Sequence, residues 1–132
     1  MAEKSVADKL LIKPGTSVWV SDDARRGLLG PLPPSVTSAA SPGTASSAVV
    51  FADDAAAVRK AFDANRDEFA ASSNLWIAYP KANKADINRD SLWPIATEYG
   101  FRPIGQVAID DTWSALRFRI LREGEAPFSG GR

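Results

Sequence analysis

The sequence predicts an α/β sandwich of three layers, built on a mostly parallel sheet with an antiparallel C-terminal strand. Three observations carry that prediction. Ala48-Val49-Val50-Phe51-Ala52 and Leu75-Trp76-Ile77-Ala78-Tyr79 are unbroken apolar runs, the pattern of strands covered on both faces of a parallel sheet. Between them Val58, Phe62, Asn65 and Phe69 recur at helical spacing, giving one face that packs on the sheet. Near the end Leu116, Phe118 and Ile120 alternate with Arg117, Arg119 and Arg122. That alternation fits a strand with one wet face, paired antiparallel near an edge.

The remaining elements follow in order. Val6-Ala7-Asp8-Lys9-Leu10-Leu11-Ile12 reads as a short amphipathic helix, stopped by Lys13-Pro14-Gly15, since proline disfavours helix in the residue before it. A β-branched and aromatic strand follows over 16–20, then a short helix over 24–29. Residues 35–48 are mostly Ser, Ala, Thr, Pro and Gly, which leaves a weak strand over 36–40 and a mobile loop as two open readings. Asp53 or Asp54 caps the helix that begins at Ala55. After the polar loop that starts at Pro80, Asp90 or Ser91 caps another helix, with Pro94 in its first turn and Gly100 closing it. A strand over 102–109 and the turn Asp110-Asp111-Thr112 complete the set. Short connections between buried strands require a doubly wound, Rossmann-like sheet, and the final parallel-then-antiparallel hairpin resembles the methyltransferase-like variant. One domain is expected over 1–123, with a flexible tail over 124–132.

Composition removes whole classes of chemistry. With no Cys and no His among 132 residues, thiol nucleophiles, zinc–thiolate sites, histidine-activated serines and His-ligated metals are all excluded. Sixteen basic residues balance sixteen acidic ones, so no net field draws the chain to nucleic acid or anionic lipid. No apolar run approaches the ~20 residues that span a bilayer, and the N-terminus shows no signal-peptide pattern. The expected location is the cytoplasm, with no membrane partner and nucleic acid disfavoured.

Ligands of such sheets bind beyond the carboxyl ends of the parallel strands. Those ends carry Asp22 and Asp23, Asp53 and Asp54, Tyr79 through Lys81, and Asp110 with Asp111. The acids read either as a polar-ligand or cation site, or as ordinary helix caps and turns. A dinucleotide or S-adenosylmethionine site needs glycines straight after the first strand. Here that stretch reads Ser21-Asp22-Asp23-Ala24-Arg25-Arg26, and the first glycine is Gly27. Two aspartates there repel a pyrophosphate, and Ser38-Ala39-Ala40-Ser41 holds no acid to grip a ribose. No cofactor and no metal is therefore expected. Arg25 and Arg26 read as solvated turn residues with an anion site as the alternative. Lys81, Lys84 and Arg89 form a basic cluster beside the ligand edge. Trp113 is surplus to the turn that precedes it, so its indole either seals the hairpin over the core or stacks on a ligand beside Lys81.

Two segments carry a resemblance. Leu75-Trp76-Ile77-Ala78-Tyr79-Pro80-Lys81 with Asp86, Arg89 and Asp90 is one, and Val107-Ala108-Ile109-Asp110-Asp111-Thr112-Trp113-Ser114-Ala115-Leu116-Arg117-Phe118 is the other. Both are similar to a bacterial domain-of-unknown-function family (number 3052). Its members look like degenerate methyltransferase-type Rossmann domains. The resemblance implies a fold and no established activity, with Lys81, Asp110, Asp111 and Trp113 as residues sharing a purpose.

The reading that results is a non-catalytic Rossmann-like module binding an unknown protein or small molecule. Its ligand-binding candidates are Lys81, Asp110, Asp111, Trp113, Lys84 and Arg89; no catalytic residue is assigned. One alternative is a divergent enzyme related to S-adenosylmethionine-dependent methyltransferases, using Asp110, Asp111 and Lys81. Another is a weak nucleic-acid contact through Lys81, Lys84 and Arg89.

Overall fold

The computed structural model describes residues 5–72, 74–81 and 89–126, the side chains of Arg89 and Asp90 excepted. The N-terminal helix is a single turn, α1 (Val6–Lys9), capped by Ser5, whose Oγ accepts from the Asp8 N–H at 3.1 Å. The chain then turns through Leu11 at φ +61°, which brings Leu10 and Ile12 down onto the sheet. The Leu10 carbonyl fixes this segment there by accepting from Asn74 Nδ2 at 2.7 Å and Trp76 Nε1 at 2.8 Å.

Strand β1 (Ser17–Val20) leads into a 3₁₀ helix over Asp23–Leu29 and then to β2 (Thr37–Ser38), two exposed residues parallel to β1. The expected helix over 24–29 is thus of the tighter kind. Asp22 draws its first turn tight, with its carbonyl accepting from the Arg25 N–H and its side chain from the Ala24 N–H. Gly30, at φ +68°, ends it. Of the two readings left open for 35–48, the structure contains the strand, much shortened. A 3₁₀ turn at Pro42–Thr44 precedes β3 (Ser47–Phe51), whose five residues are all buried.

Helix α2 (Ala55–Ala71) is capped by Asp54, which accepts from the Ala57 N–H at 2.8 Å. Val58, Phe62 and Phe69 are buried as the spacing predicts. Asn65 departs from that stripe: its backbone is non-helical (φ −135°, ψ 16°) and its amide donates to the Ala61 carbonyl, kinking the helix. Strand β4 (Asn74–Pro80) follows, and then α3 (Arg89–Glu98). Because α3 already begins at Arg89, Asp90 and Ser91 are helical residues rather than caps. Pro94 is consequently in the helix interior, where it removes the N–H that would reach the Asp90 carbonyl. Gly100, at φ +89°, closes the helix as expected.

The chain ends in the hairpin β5 (Phe101–Ala108) and β6 (Trp113–Ile120). The six strands form one sheet in the order β2-β1-β3-β4-β6-β5. Strands β1 to β4 pair in parallel, and β6 is antiparallel to both β4 and β5. The predicted sandwich with its antiparallel last strand is therefore what folds, with β6 one place in from the edge. Helices α2 and α3 cover one face around Phe62, Phe69, Ile77 and Phe118. The other face is covered by α1 and the Asp23–Leu29 helix around Leu10, Val18, Leu29, Phe51 and Trp113. Beyond Gly124 the description reaches only Ala126, and residues 127–132 lie outside it. Among the described residues no helix is long and apolar enough to cross a membrane.

Candidate functional site

The sheet changes direction at β1, whose two neighbours are β2 on one side and β3 on the other. In open α/β sheets the crevice beyond the carboxyl ends of such strands is where ligands bind. Here the two strand ends are sewn together. Ser21 donates its N–H to the Val49 carbonyl at 3.0 Å, and its Oγ accepts from the Phe51 N–H at 2.8 Å.

Arg25 lies across the same point. Its Nη2 donates to Asp53 Oδ1 at 2.8 Å, and its Nε is 3.5 Å from Asp22 Oδ2. The guanidinium also stands over the Trp113 ring, 4.8 Å from the centroid. Trp113 is the first residue of β6 and so meets the end of β4, opposite Pro80. Its indole is 8% exposed and packs edge-to-face on Phe51 at 5.3 Å. One arginine therefore joins the ends of β1 and β3 to the hairpin at the end of β4. Arg25 is thus not the solvated turn residue that its place in the sequence suggests; the signal for its role is the Asp22–Arg25 spacing, which allows an ion pair one turn apart.

The strand-end acids are occupied as caps and turns. Asp22 and Asp54 cap their helices, Asp23 pairs with Arg26 at 3.2 Å, and Asp53 holds Arg25. Asp110 Oδ1 accepts from the backbone N–H groups of both Thr112 and Trp113, each at 2.7 Å, which shapes the β5–β6 turn. Among the described residues no three acids converge as a metal site. The position of the acids does not suit a nucleotide cofactor either. Where glycine would let a pyrophosphate or methionyl group approach backbone, Ser21 ties two strands and Asp22 holds an arginine.

Of the residues predicted to share a site, the structure brings Lys81, Asp110 and Trp113 to one end of the sheet. The Lys81 N–H donates to the Thr112 carbonyl at 2.8 Å, so the end of β4 and the hairpin turn are in direct contact. Asp110 is spent on the turn, and Trp113 faces the core with Arg25 on top of it, which is the sealing role. Asp111 is exposed. Lys84 lies outside the described residues, and Arg89 starts α3 with its side chain outside them too.

No protein-family model matches the chain, and no curated protein matches it. Solved structures do. Streptococcus pneumoniae Sp1610, described as a candidate tRNA (m1A22) methyltransferase, aligns at TM-score 0.58 and 11% identity, over 98% of this chain and 74% of that one. A protein in the NADB-Rossmann superfamily from Streptococcus agalactiae aligns at 0.55 and 9%, over 91% and 69%. The B. subtilis M1A22 tRNA methyltransferase TrmK aligns at 0.50 and 10%, over 91% and 67%. At these identities the likeness shows the fold, which is Rossmann-like and of the kind that methyltransferases use.

Proposed function

We propose that this chain is a methyltransferase-like Rossmann module that binds a protein partner or a small molecule without turning over a nucleotide cofactor. The observation that supports this most is Arg25, which bridges Asp22 and Asp53 above Trp113 where the fold's ligands sit. A thermal-shift screen of nucleotides, S-adenosylmethionine, divalent metals and common metabolites tests it, because a ligand of the native state raises the melting temperature by mass action. The proposal expects no shift with the cofactors. A saturable shift with S-adenosylmethionine or NAD overturns it.

A divergent enzyme related to S-adenosylmethionine-dependent methyltransferases is the second reading. The fold comparisons support it better than they support a non-catalytic module, since two of the similar structures are described as tRNA methyltransferases. The crevice geometry sides with the first reading. Methyl transfer to tRNA that disappears in Lys81→Ala or Asp111→Ala, with the melting temperature unchanged, decides for the enzyme.

A further inference from the structure

The end of the sheet opposite the switch crevice carries a proline segment that the fold leaves at its surface. Strands β1 and β2 start together there, with Ser17 paired to Thr37, so the loops that precede them are neighbours. The Gly15 N–H donates to the Pro34 carbonyl at 3.1 Å and fixes that contact. One loop is the turn Lys13-Pro14-Gly15-Thr16, closed by the Thr16 N–H on the Lys13 carbonyl at 3.3 Å, with Gly15 at φ +76°. The other is Pro31-Leu32-Pro33-Pro34, set between Gly30 at φ +68° and Ser35 at φ +64°.

Proline fixes its own φ near about −65° and pushes the residue before it to extended backbone. Pro33 and Pro34 therefore hold Leu32 and Pro33 in the polyproline II region. A helix of that kind has three residues per turn and no internal hydrogen bonds. Pro31 and Pro34 share one of its edges, Leu32 stands on the second and Pro33 on the third. Burial follows those edges: Pro31, Leu32 and Pro34 are exposed, and Pro33 is half-buried. Leu32, 37% exposed, is one of three large apolar side chains left at the surface among the described residues. No described residue donates to the carbonyls of Pro31, Leu32 or Pro33. One edge thus faces the body of the protein, and two present rings, a leucine and open acceptors outward.

We propose that the segment 31–34 is a docking motif for a protein domain whose groove is lined by aromatic rings, of the SH3 or WW kind. Such grooves take the outward edges of a polyproline II helix. The prolines and the Gly15 contact already hold the segment in the conformation that docks, so little ordering entropy is lost on binding. Lys13 adds a charge beside the motif. It is exposed, and its side chain meets no acid among the described residues. The groove that fits therefore has an acidic rim. This surface lies at the other end of the sheet from Arg25, so a partner here is independent of what the crevice binds.

A panel of purified SH3 and WW domains, titrated into the isotope-labelled full chain and followed by amide NMR, tests this. Saturable shifts are expected with a member of the panel, centred on Lys13, Gly15, Gly30, Leu32 and Ser35. Pro31→Ala combined with Pro34→Ala is expected to weaken that binding at least about tenfold, as loss of central anchors does. Leu32→Asp, at an exposed position, is expected to weaken it by a similar factor. Lys13→Glu is expected to weaken it about threefold at low salt and less at high salt. Arg25→Ala is expected to leave it unchanged. No saturable shift with any member of the panel overturns the proposal, as do shifts centred on residues 21–25. Binding that keeps its affinity in the double proline variant does the same. Should that variant fail to fold, an unchanged affinity in Leu32→Asp overturns the proposal instead.

Discussion

The guanidinium of Arg25 lies 4.8 Å above the Trp113 ring while it holds Asp53 at 2.8 Å. These residues are 88 positions apart in the chain, yet together they close the end of the sheet where a ligand would enter. An ion pair with an exposed carboxylate contributes up to about 1 kcal/mol, and a cation that keeps part of its hydration over an indole about 0.5–1 kcal/mol. Arg25→Ala is therefore expected to cost about 1 kcal/mol of stability in denaturant and to make Trp113 easier to quench with acrylamide. A loss above about 3 kcal/mol, or unchanged quenching, contradicts this placement.

Trp113 and Asp111 separate a structural from a ligand-contacting role at the hairpin. Trp113 is 8% exposed against Phe51, so Trp113→Ala is expected to cost about 3–5 kcal/mol. Asp111 is exposed, and Asp111→Ala is expected to stay within about 0.5 kcal/mol of the parent. Equilibrium urea unfolding of the two variants checks both.

Asp110 shapes the turn through one oxygen that accepts two backbone N–H groups. Asp110→Asn keeps that oxygen and is expected to be nearly neutral. Asp110→Ala leaves two donors without it and is expected to lose about 1–2 kcal/mol. Equal losses in the two variants would show that charge, rather than turn geometry, is what matters.

The Arg119 fork, helped by the Arg122 N–H and Arg102, holds the Glu125 carboxyl well below its ordinary value of 4.5. A carboxyl whose folded pKa is depressed stabilises the fold above its unfolded pKa and loses that contribution as pH falls through the folded one. Stability is therefore expected to decline below about pH 4.5, and the decline is expected to be shallower in Glu125→Gln. Identical pH profiles for the two proteins count against the fork.

The parts of the fold that were legible in the sequence are those decided by local pattern. Within the strands Ser47–Phe51 and Asn74–Pro80 the runs Ala48-Val49-Val50-Phe51 and Leu75-Trp76-Ile77-Ala78-Tyr79 are apolar throughout because both faces are covered. Asp54 reads as a cap because a helix N-terminus needs an acceptor and two acids stand at that point. The start of α3 is not legible, since an acid within the first turn looks the same as an acid at the cap. Asn65 keeps helical spacing in the sequence, but its amide bonds back to Ala61 and breaks the helix there. At the candidate site the turn role of Asp110 was legible, because an aspartate that starts a hairpin has that use. The links from Arg25 to Asp53 and from Glu125 to Arg102 were not. Each joins segments more than twenty residues apart, and no spacing rule marks a pair that only tertiary structure brings together.

The most direct test of the account is a calorimetric titration of S-adenosylmethionine into the parent chain and into Arg25→Ala. With Ser21 tying β1 to β3 and Arg25 across the gap, no saturable heat is expected from the parent. Micromolar binding to the parent, with amide NMR shifts centred on residues 21–25, would show instead that the crevice is open to the cofactor.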